Sequence, residues 1–397
     1  MSIFKKLKCA AIILLVAVLC IGTVAVLGSP IDVYAAEPDE KNNDAQMTLD
    51  CKSAILMEAN TGAVLFEQNA DEALPPASVT KIMTLLLVME AIEQGKIKLD
   101  DIVTASAHAA SMGGSQIYLK EGEQMNVEDM LKSVVISSAN DAACALAEFV
   151  SGSEEAFVRQ MNERAAQLGM KNTTFENTNG LDDTAQNHLT SARDIAIMSR
   201  ELIKHEKILE YSSIWMDTIR GGMFGLTNTN RLVRFYRGCT GLKTGSTSKA
   251  GFCISATAER DGVSLICVIM GAETRDVRNA LATRLLDFGF ANFGVYKHEP
   301  EKLDNVTVKC GTKDTIKVKY DAFEFALPKG DVAKVKYTLQ LPEYVTAPIE
   351  KGDALGEVVF TLDGKEIGRR DIYADEDVAK ISFLELWLRI LAKFLLK

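Results

Sequence analysis

Proline, histidine and tryptophan are scarce in this chain of 397 residues, at eight, four and two copies. So few prolines beside 27 glycines exclude collagen-like and proline-rich architecture. An excess of basic charge is missing as well, because 44 Lys and Arg against 54 Asp and Glu leave a net −10. With no basic block interleaved with aromatics, a phosphate-backbone binder is excluded and nucleic acid drops out as a partner. His108, His188, His205 and His298 stand far apart, without H-E-x-x-H or a cysteine at ligand spacing, so no metal is expected. C-x-x-C spacing is absent too. Cys9 and Cys20 lie in the N-terminal apolar segment, and Cys51, Cys144, Cys239, Cys253, Cys267 and Cys310 are scattered singly, which favours buried free thiols over a disulfide framework.

What the chain does hold is apolar content, 47% beside 25% charged residues. That excludes wholesale disorder and supports two or three domains at ~100–200 residues each. Residues 1–35 belong to a different class, with Lys5, Lys6 and Lys8 ahead of an apolar run from Ala10 to Leu27 and a small residue closing Val33-Tyr34-Ala35. This is the pattern of a secretory signal peptide cut after Ala35. A retained anchor is the alternative, since this 18-residue run lies at the lower limit for spanning a bilayer. Cleavage removes three lysines and Asp32, leaves −12, and places the mature protein outside the cytoplasmic membrane. Residues 36–48 are polar and acidic, the composition of a spacer.

The fold is expected from there. Ser53 to Glu58 and Ala63 to Glu67, flanking Asn60-Thr61-Gly62, read as a β-hairpin. Ser78 to Gln94 has helical spacing in Ile82, Leu85, Leu86, Met89 and Ile92. Further helices are expected at Val127–Val135, Asp141–Ser151, Glu154–Leu168 and Asp194–Lys204, the last with a Ser191/Asp194 capping box. Strands follow at Gly241–Thr244, Ala250–Ala258 and Gly262–Met270, then a helix over Arg275–Phe290. Strands at both ends of residues 49–296 with helices between them imply an α+β domain whose sheet is closed by distant pieces of chain. Residues 297–376 alternate as short strands (Val306–Lys309, Thr315–Lys319, Lys334–Gln340, Ala354–Leu362), a separate small β domain. From Val378 to Lys397, Ser382, Glu385, Arg389, Lys393 and Lys397 form one polar stripe of a helix whose other face is apolar. That reads as an amphipathic membrane-interface helix over 377–397, with packing on the β domain as the alternative.

Chemistry enters at Ser78-Val79-Thr80-Lys81. A Ser and a Lys three apart on a helix share one face. The hydroxyl needs a base to become a nucleophile, and a lysine held dry can be that base. The helix N-terminus behind Pro75-Pro76 aims N–H groups at a developing oxyanion. Alone the motif is weak, because Ser2…Lys5 and Ser246…Lys249 match the spacing too. Ser138-Ala139-Asn140 and Lys243-Thr244-Gly245 follow in order, once each. Ser138 and Asn140 can deliver a hydroxyl and an amide from an interhelical loop, or simply cap the next helix. Lys243 on a strand offers a fixed positive charge to a substrate carboxylate and opposes protonation of Lys81, unless it is merely solvated. Gly245 is expected to let a substrate backbone lie along the strand edge.

With these residues in place the chain resembles the low-molecular-mass penicillin-binding proteins of D-alanyl-D-alanine carboxypeptidase type, of the β-lactamase/transpeptidase superfamily. Pro76 to Thr84 (PASVTKIMT), Ile136 to Ala142 (ISSANDA), Asn177 to Asp182 (NTNGLD), Thr229 to Leu232 (TNRL) and Gly241 to Thr247 (GLKTGST) carry the likeness. Ala139 stands where relatives commonly have Gly. The resemblance implies a catalytic domain of antiparallel sheet with a helical cluster, followed by a small all-β domain and the C-terminal amphipathic helix. It implies acyl transfer on peptidoglycan stem peptides ending in D-Ala-D-Ala, with β-lactams as covalent inhibitors and no metal or organic cofactor. In that scheme Ser78 attacks, Lys81 is the base, and Ser138 passes a proton to the leaving group. Asn140, Lys243, Thr244 and Gly245 bind substrate, the Ser78 and Ser246 N–H groups receive the oxyanion, and Arg278 either holds the terminal carboxylate or is solvated on its helix. Rival readings are a serine β-lactamase, which would need an E-x-x-L-N carboxylate, a D,D-endopeptidase, and a penicillin-binding sensor without turnover.

Overall fold

The computed structural model describes residues 47–182 and 185–395; the expected signal peptide and most of the spacer lie outside them. Strands β1 (Ser53–Glu58) and β2 (Val64–Gln68) form the expected hairpin. They join β3 (Cys239–Thr247), β4 (Gly251–Arg260) and β5 (Val263–Ala272) in one antiparallel sheet ordered β2-β1-β5-β4-β3. The β1–β5 pairing, Ser53 opposite Met270 through Glu58 opposite Leu265, closes the sheet between the two ends of the domain. Every residue of β1 is buried because both faces are covered, and its period-two side chains divide between two cores. Ile55 and Met57, with Ile266, Val268 and Met270 of β5, face the helical cluster. Ala54 and Leu56, with Leu265, Cys267 and Ile269, face the helix Arg275–Asn292.

The cluster holds α1 (Lys81–Glu93), α2 (Ala107–Ala110), α3 (Val127–Ser137), α4 (Asn140–Ser151), α5 (Glu154–Gln167) and α6 (Ala192–Leu202); Arg275–Asn292 is α7. Most starts are capped from the side chain: Asn126, Ser153, Ser191 and Thr274 each accept from a backbone N–H three residues on. The Ser191 box is only half made. The Asp194 carboxylate turns instead to the Asn172 N–H and the Thr173 hydroxyl.

In the small β domain, β6 (Phe293–His298) pairs with β7 (Phe323–Pro328), so a division at residue 297 cuts a strand. Thr315–Lys319 is two short strands, Thr315–Ile316 and Val318–Lys319, in different sheets. The core centres on Phe323 stacked on Phe360, ring centroids 4.0 Å apart. The last helix, α8, runs Phe383–Leu395, shorter than expected. Val378 is buried in the β domain and bridges Ile349 in antiparallel fashion, so the chain is extended there and the helix starts only after Ser382. The six described cysteines are free thiols, but only Cys144, Cys253 and Cys267 are buried, and Cys310 is exposed.

Candidate active site

Ser78 does not sit on α1 itself. It lies on a 3-10 turn, Ala77–Thr80, that leads into Lys81, and the tighter turn aligns residues three apart. Lys81 Nζ is 2.8 Å from Ser78 Oγ and donates to the Asn179 carbonyl at 2.9 Å. The amine is fully buried. Burial, reinforced by the charge of Lys243 and opposed by Asp141, holds it well below the ordinary lysine range. A neutral amine at this distance accepts the Ser78 proton, so the pair has the geometry of nucleophile and base.

Ser138 ends α3 in the left-handed region, φ 62°, and its hydroxyl is buried without a hydrogen-bond partner among the described residues. Asn140 donates from Nδ2 to the Gly113 carbonyl at 2.7 Å, whereas its Oδ1 is buried and unpaired. Neither side chain caps α4, whose cap position is Ala139. Two unpaired buried polar atoms, two positions apart where α3 ends and α4 begins, are what a cleft keeps for a ligand.

The edge strand β3 runs directly against the Ser78 turn. A Cβ on Gly245 would stand 2.7 Å from the Ser78 nitrogen and 2.9 Å from the Pro76 oxygen and Val79 nitrogen. The clearance expected for a substrate backbone at this glycine is therefore taken up by the protein's own turn. Lys243 is buried and donates to the Thr244 carbonyl at 2.9 Å. Burial, with Arg278 as neighbouring cation, pulls it down to about 7. Thr244 donates to the Thr229 hydroxyl at 2.8 Å, and Ser246 is exposed. Arg278 is buried rather than solvated, donating to Asn279 Oδ1 at 2.8 Å and to the Cys253 carbonyl, whose residue pairs with Gly245 across the sheet. Among the described residues Lys243 and Arg278 make no ion pair, so this side of the site offers cationic groups that no carboxylate neutralises by direct contact.

A supporting set was not singled out by spacing. Glu176 donates its N–H to His188 Nδ1 at 3.0 Å, which leaves the proton on Nε2, 2.7 Å from Thr80 Oγ1. Thr80 in turn donates to the Ala77 carbonyl at 2.8 Å. Ala77 has φ 49°, an uncommon conformation for alanine, and Gly180 makes room for it: a Cβ there would lie 1.9 Å from the Ala77 oxygen. Thr84 donates to the Thr178 carbonyl at 2.6 Å. The only sequence signal for this loop was the N-T-N-G-L-D run, whose partners lie about a hundred residues away.

Residues 39–274 match the family model described as D-alanyl-D-alanine carboxypeptidase. The chain belongs to this family. Residues 290–380 match a second model, Penicillin-binding protein 5, C-terminal domain. Among family relatives, the D-alanyl-D-alanine carboxypeptidase DacF of Bacillus subtilis (strain 168) is 43% identical over 357 residues, covering 88% of this chain and 91% of the relative. Penicillin binding protein 5 from Haemophilus influenzae superposes with a TM-score of 0.75 at 34% identity, covering 84% of this chain and 99% of that one. Penicillin-Binding Protein D2 from Listeria monocytogenes in its ampicillin-bound form has a TM-score of 0.57 at 33% identity, covering 61% and 98%. The family member described here thus matches DacF and the Haemophilus influenzae protein over more than four-fifths of its length, with the β-lactamase/transpeptidase type of fold.

Proposed function

We propose that the protein is a serine D-Ala-D-Ala carboxypeptidase acting on peptidoglycan stem peptides, and that β-lactams acylate the same serine. The observation that carries this reading is Lys81 Nζ, buried, 2.8 Å from Ser78 Oγ beside a second buried lysine. Ser78 Oγ attacks the penultimate D-Ala carbonyl while its proton passes to Lys81. The tetrahedral oxyanion lies between the Ser78 and Ser246 N–H groups, two donors each contributing ~2.7–4 kcal/mol by comparison with other oxyanion holes. The amide C–N bond breaks, the leaving amine takes a proton through Ser138, and terminal D-Ala departs. Water then cleaves the acyl ester and restores the Ser78 hydroxyl. Lys243, Thr244 and Arg278 hold the terminal carboxylate, and the Asn140 amide holds the acyl-side backbone. Labelled penicillin followed by peptide mapping tests the assignment: label should sit on Ser78 alone and vanish in Ser78→Ala. Label on another residue overturns it.

Export by the N-terminal signal pattern and work at the outer face of the cytoplasmic membrane complete the reading. No helix among the described residues is long and apolar enough to cross a membrane. The apolar side chains of α8, among them Phe383, Leu384, Trp387 and Leu388, are exposed, which supports an interfacial anchor.

A further inference from the structure

We infer that His108, Cys144 and Glu154 form a binding site for a zinc-type divalent metal ion. They come from α2, α4 and the first turn of α5, far apart in sequence, which is why residue spacing offered no metal motif. Each supplies one ligand atom, and the three atoms lie within 4.8 Å of one another. His108 Nε2 is 2.7 Å from Glu154 Oε2, and Cys144 Sγ is 3.8 Å from the same oxygen. Zinc bonds of about 2.0–2.3 Å at tetrahedral angles place ligand atoms roughly 3.3–3.6 Å apart. Imidazole and carboxylate need to separate by about half an ångström, and the sulfur needs to close on the carboxylate oxygen by a few tenths of one.

The carboxylate is already prepared for one-oxygen ligation. Glu154 Oε1 accepts from the Thr178 N–H at 3.0 Å and the Thr178 hydroxyl at 2.7 Å, so Oε2 alone faces the other two ligands. Such outer hydrogen bonds are what orients a metal-binding carboxylate. Cys144 is fully buried on α4, whereas the His108 side chain is half-exposed at a cavity of about 410 Å³ that His108, Ser111, Met112 and Glu154 line. Water entering that cavity supplies the fourth ligand. Thiolate, imidazole and carboxylate together favour zinc over magnesium or calcium, which take oxygen ligands. Binding forms bonds to Nε2, Sγ and Oε2, releases the thiol proton to water, leaves His108 a neutral imidazole with its one proton on Nδ1, and changes no oxidation state. The ion would tie three helices to the Thr178 loop whose next carbonyl, that of Asn179, holds Lys81.

The test uses the mature full chain, stripped of metal by a chelator, dialysed and titrated with zinc and separately with cobalt. The expected result is one ion per chain, a cobalt spectrum with sulfur-to-metal charge-transfer absorption, and a higher unfolding temperature on zinc addition. Cys144→Ala should lose the charge-transfer band, and both Cys144→Ala and His108→Ala should weaken binding on the order of 100-fold. Cys310→Ala, at the exposed thiol, should change neither. Circular dichroism checks that each variant is folded, and His108→Ala keeps the test open if the buried cysteine variant is not. No zinc bound by the folded wild-type chain, or binding indifferent to His108→Ala, overturns the site and leaves the proposed peptidase untouched.

Discussion

At Lys243, burial and a neighbouring guanidinium act in the same direction, and a lysine pulled to about 7 changes charge within the working pH range. The sign decides the observable. Below that value the ammonium is present to meet a carboxylate; above it the free enzyme loses the charge. For a carboxylate-bearing substrate, kcat/KM should fall on an alkaline limb near neutrality, while the kcat limb moves to higher pH because bound carboxylate restores the ammonium. Lys243→Ala should lose acylation by carboxylate ligands and spare a C-terminally amidated substrate far more; equal losses on both would give Lys243 another role. Lys81→Ala should abolish acylation and keep the fold, read by circular dichroism and penicillin labelling. At His188 burial acts in the same direction but carries the group out of the working range. Burial pushes it to about 4, so it stays neutral and no limb near 6.5 should appear. His188→Ala strands the Glu176 N–H and removes the donor that positions the Thr80 hydroxyl, at a cost of ~1–3 kcal/mol, and should lower kcat more than it changes KM, with His188→Gln partly restoring it. Ser78, Lys81 and Lys243 were legible because short stretches of contiguous chain, Ser78 to Lys81 and Lys243 to Gly245, carry the chemistry. His188 and Thr80 were not, because their contact joins residues distant in sequence.

Elements show the same division. The capped helices were legible to within a few residues, since Asn126, Ser153, Ser191 and Thr274 mark their starts in the sequence itself. The 3-10 turn was not: a Ser and Lys three apart fit either helix type, and only packing against β3 selects the tighter one. That packing makes Gly245 the most sensitive position of the strand. Gly245→Ala places a methyl within 2.7 Å of backbone at Ser78, and backbone on both sides cannot swing away as a side chain would. The expected loss is ~1–3 kcal/mol of stability, together with a penicillin acylation rate lower by ~100-fold from displacement of the nucleophile. Thermal unfolding and labelling kinetics read the two separately. Normal acylation in that variant would mean the turn has slack that this close approach denies.

At the scale of the whole molecule, α8 presents two sides with different occupants. Its polar side is tied down: Ser382 and Glu385 close a reciprocal capping box at 3.0 and 3.2 Å, and Arg389 binds the carbonyls of Gly311 and Thr312 and the Asp314 carboxylate. The apolar side has Phe383, Phe394 and Leu395 about four-fifths exposed. Polarity along the sequence revealed the stripe, but not that the β domain takes up Arg389 while leaving the apolar face open. It also misplaced the helix start, because Val378 looks like a first apolar position and is instead a core residue of the β domain. A cut meant to remove only the helix must therefore fall after Ile381, whose N–H donates to the Cys310 carbonyl. The mature protein should co-sediment with vesicles, more strongly when they contain anionic lipid, because Lys380 and Arg389 against Glu385 already leave the described part of this segment basic. The chain ending at Ile381 should stay in the supernatant with its unfolding temperature nearly unchanged and its activity on small soluble peptides intact. If it still sediments, or if the full mature chain does not, the exposed face of α8 has some occupant other than a membrane.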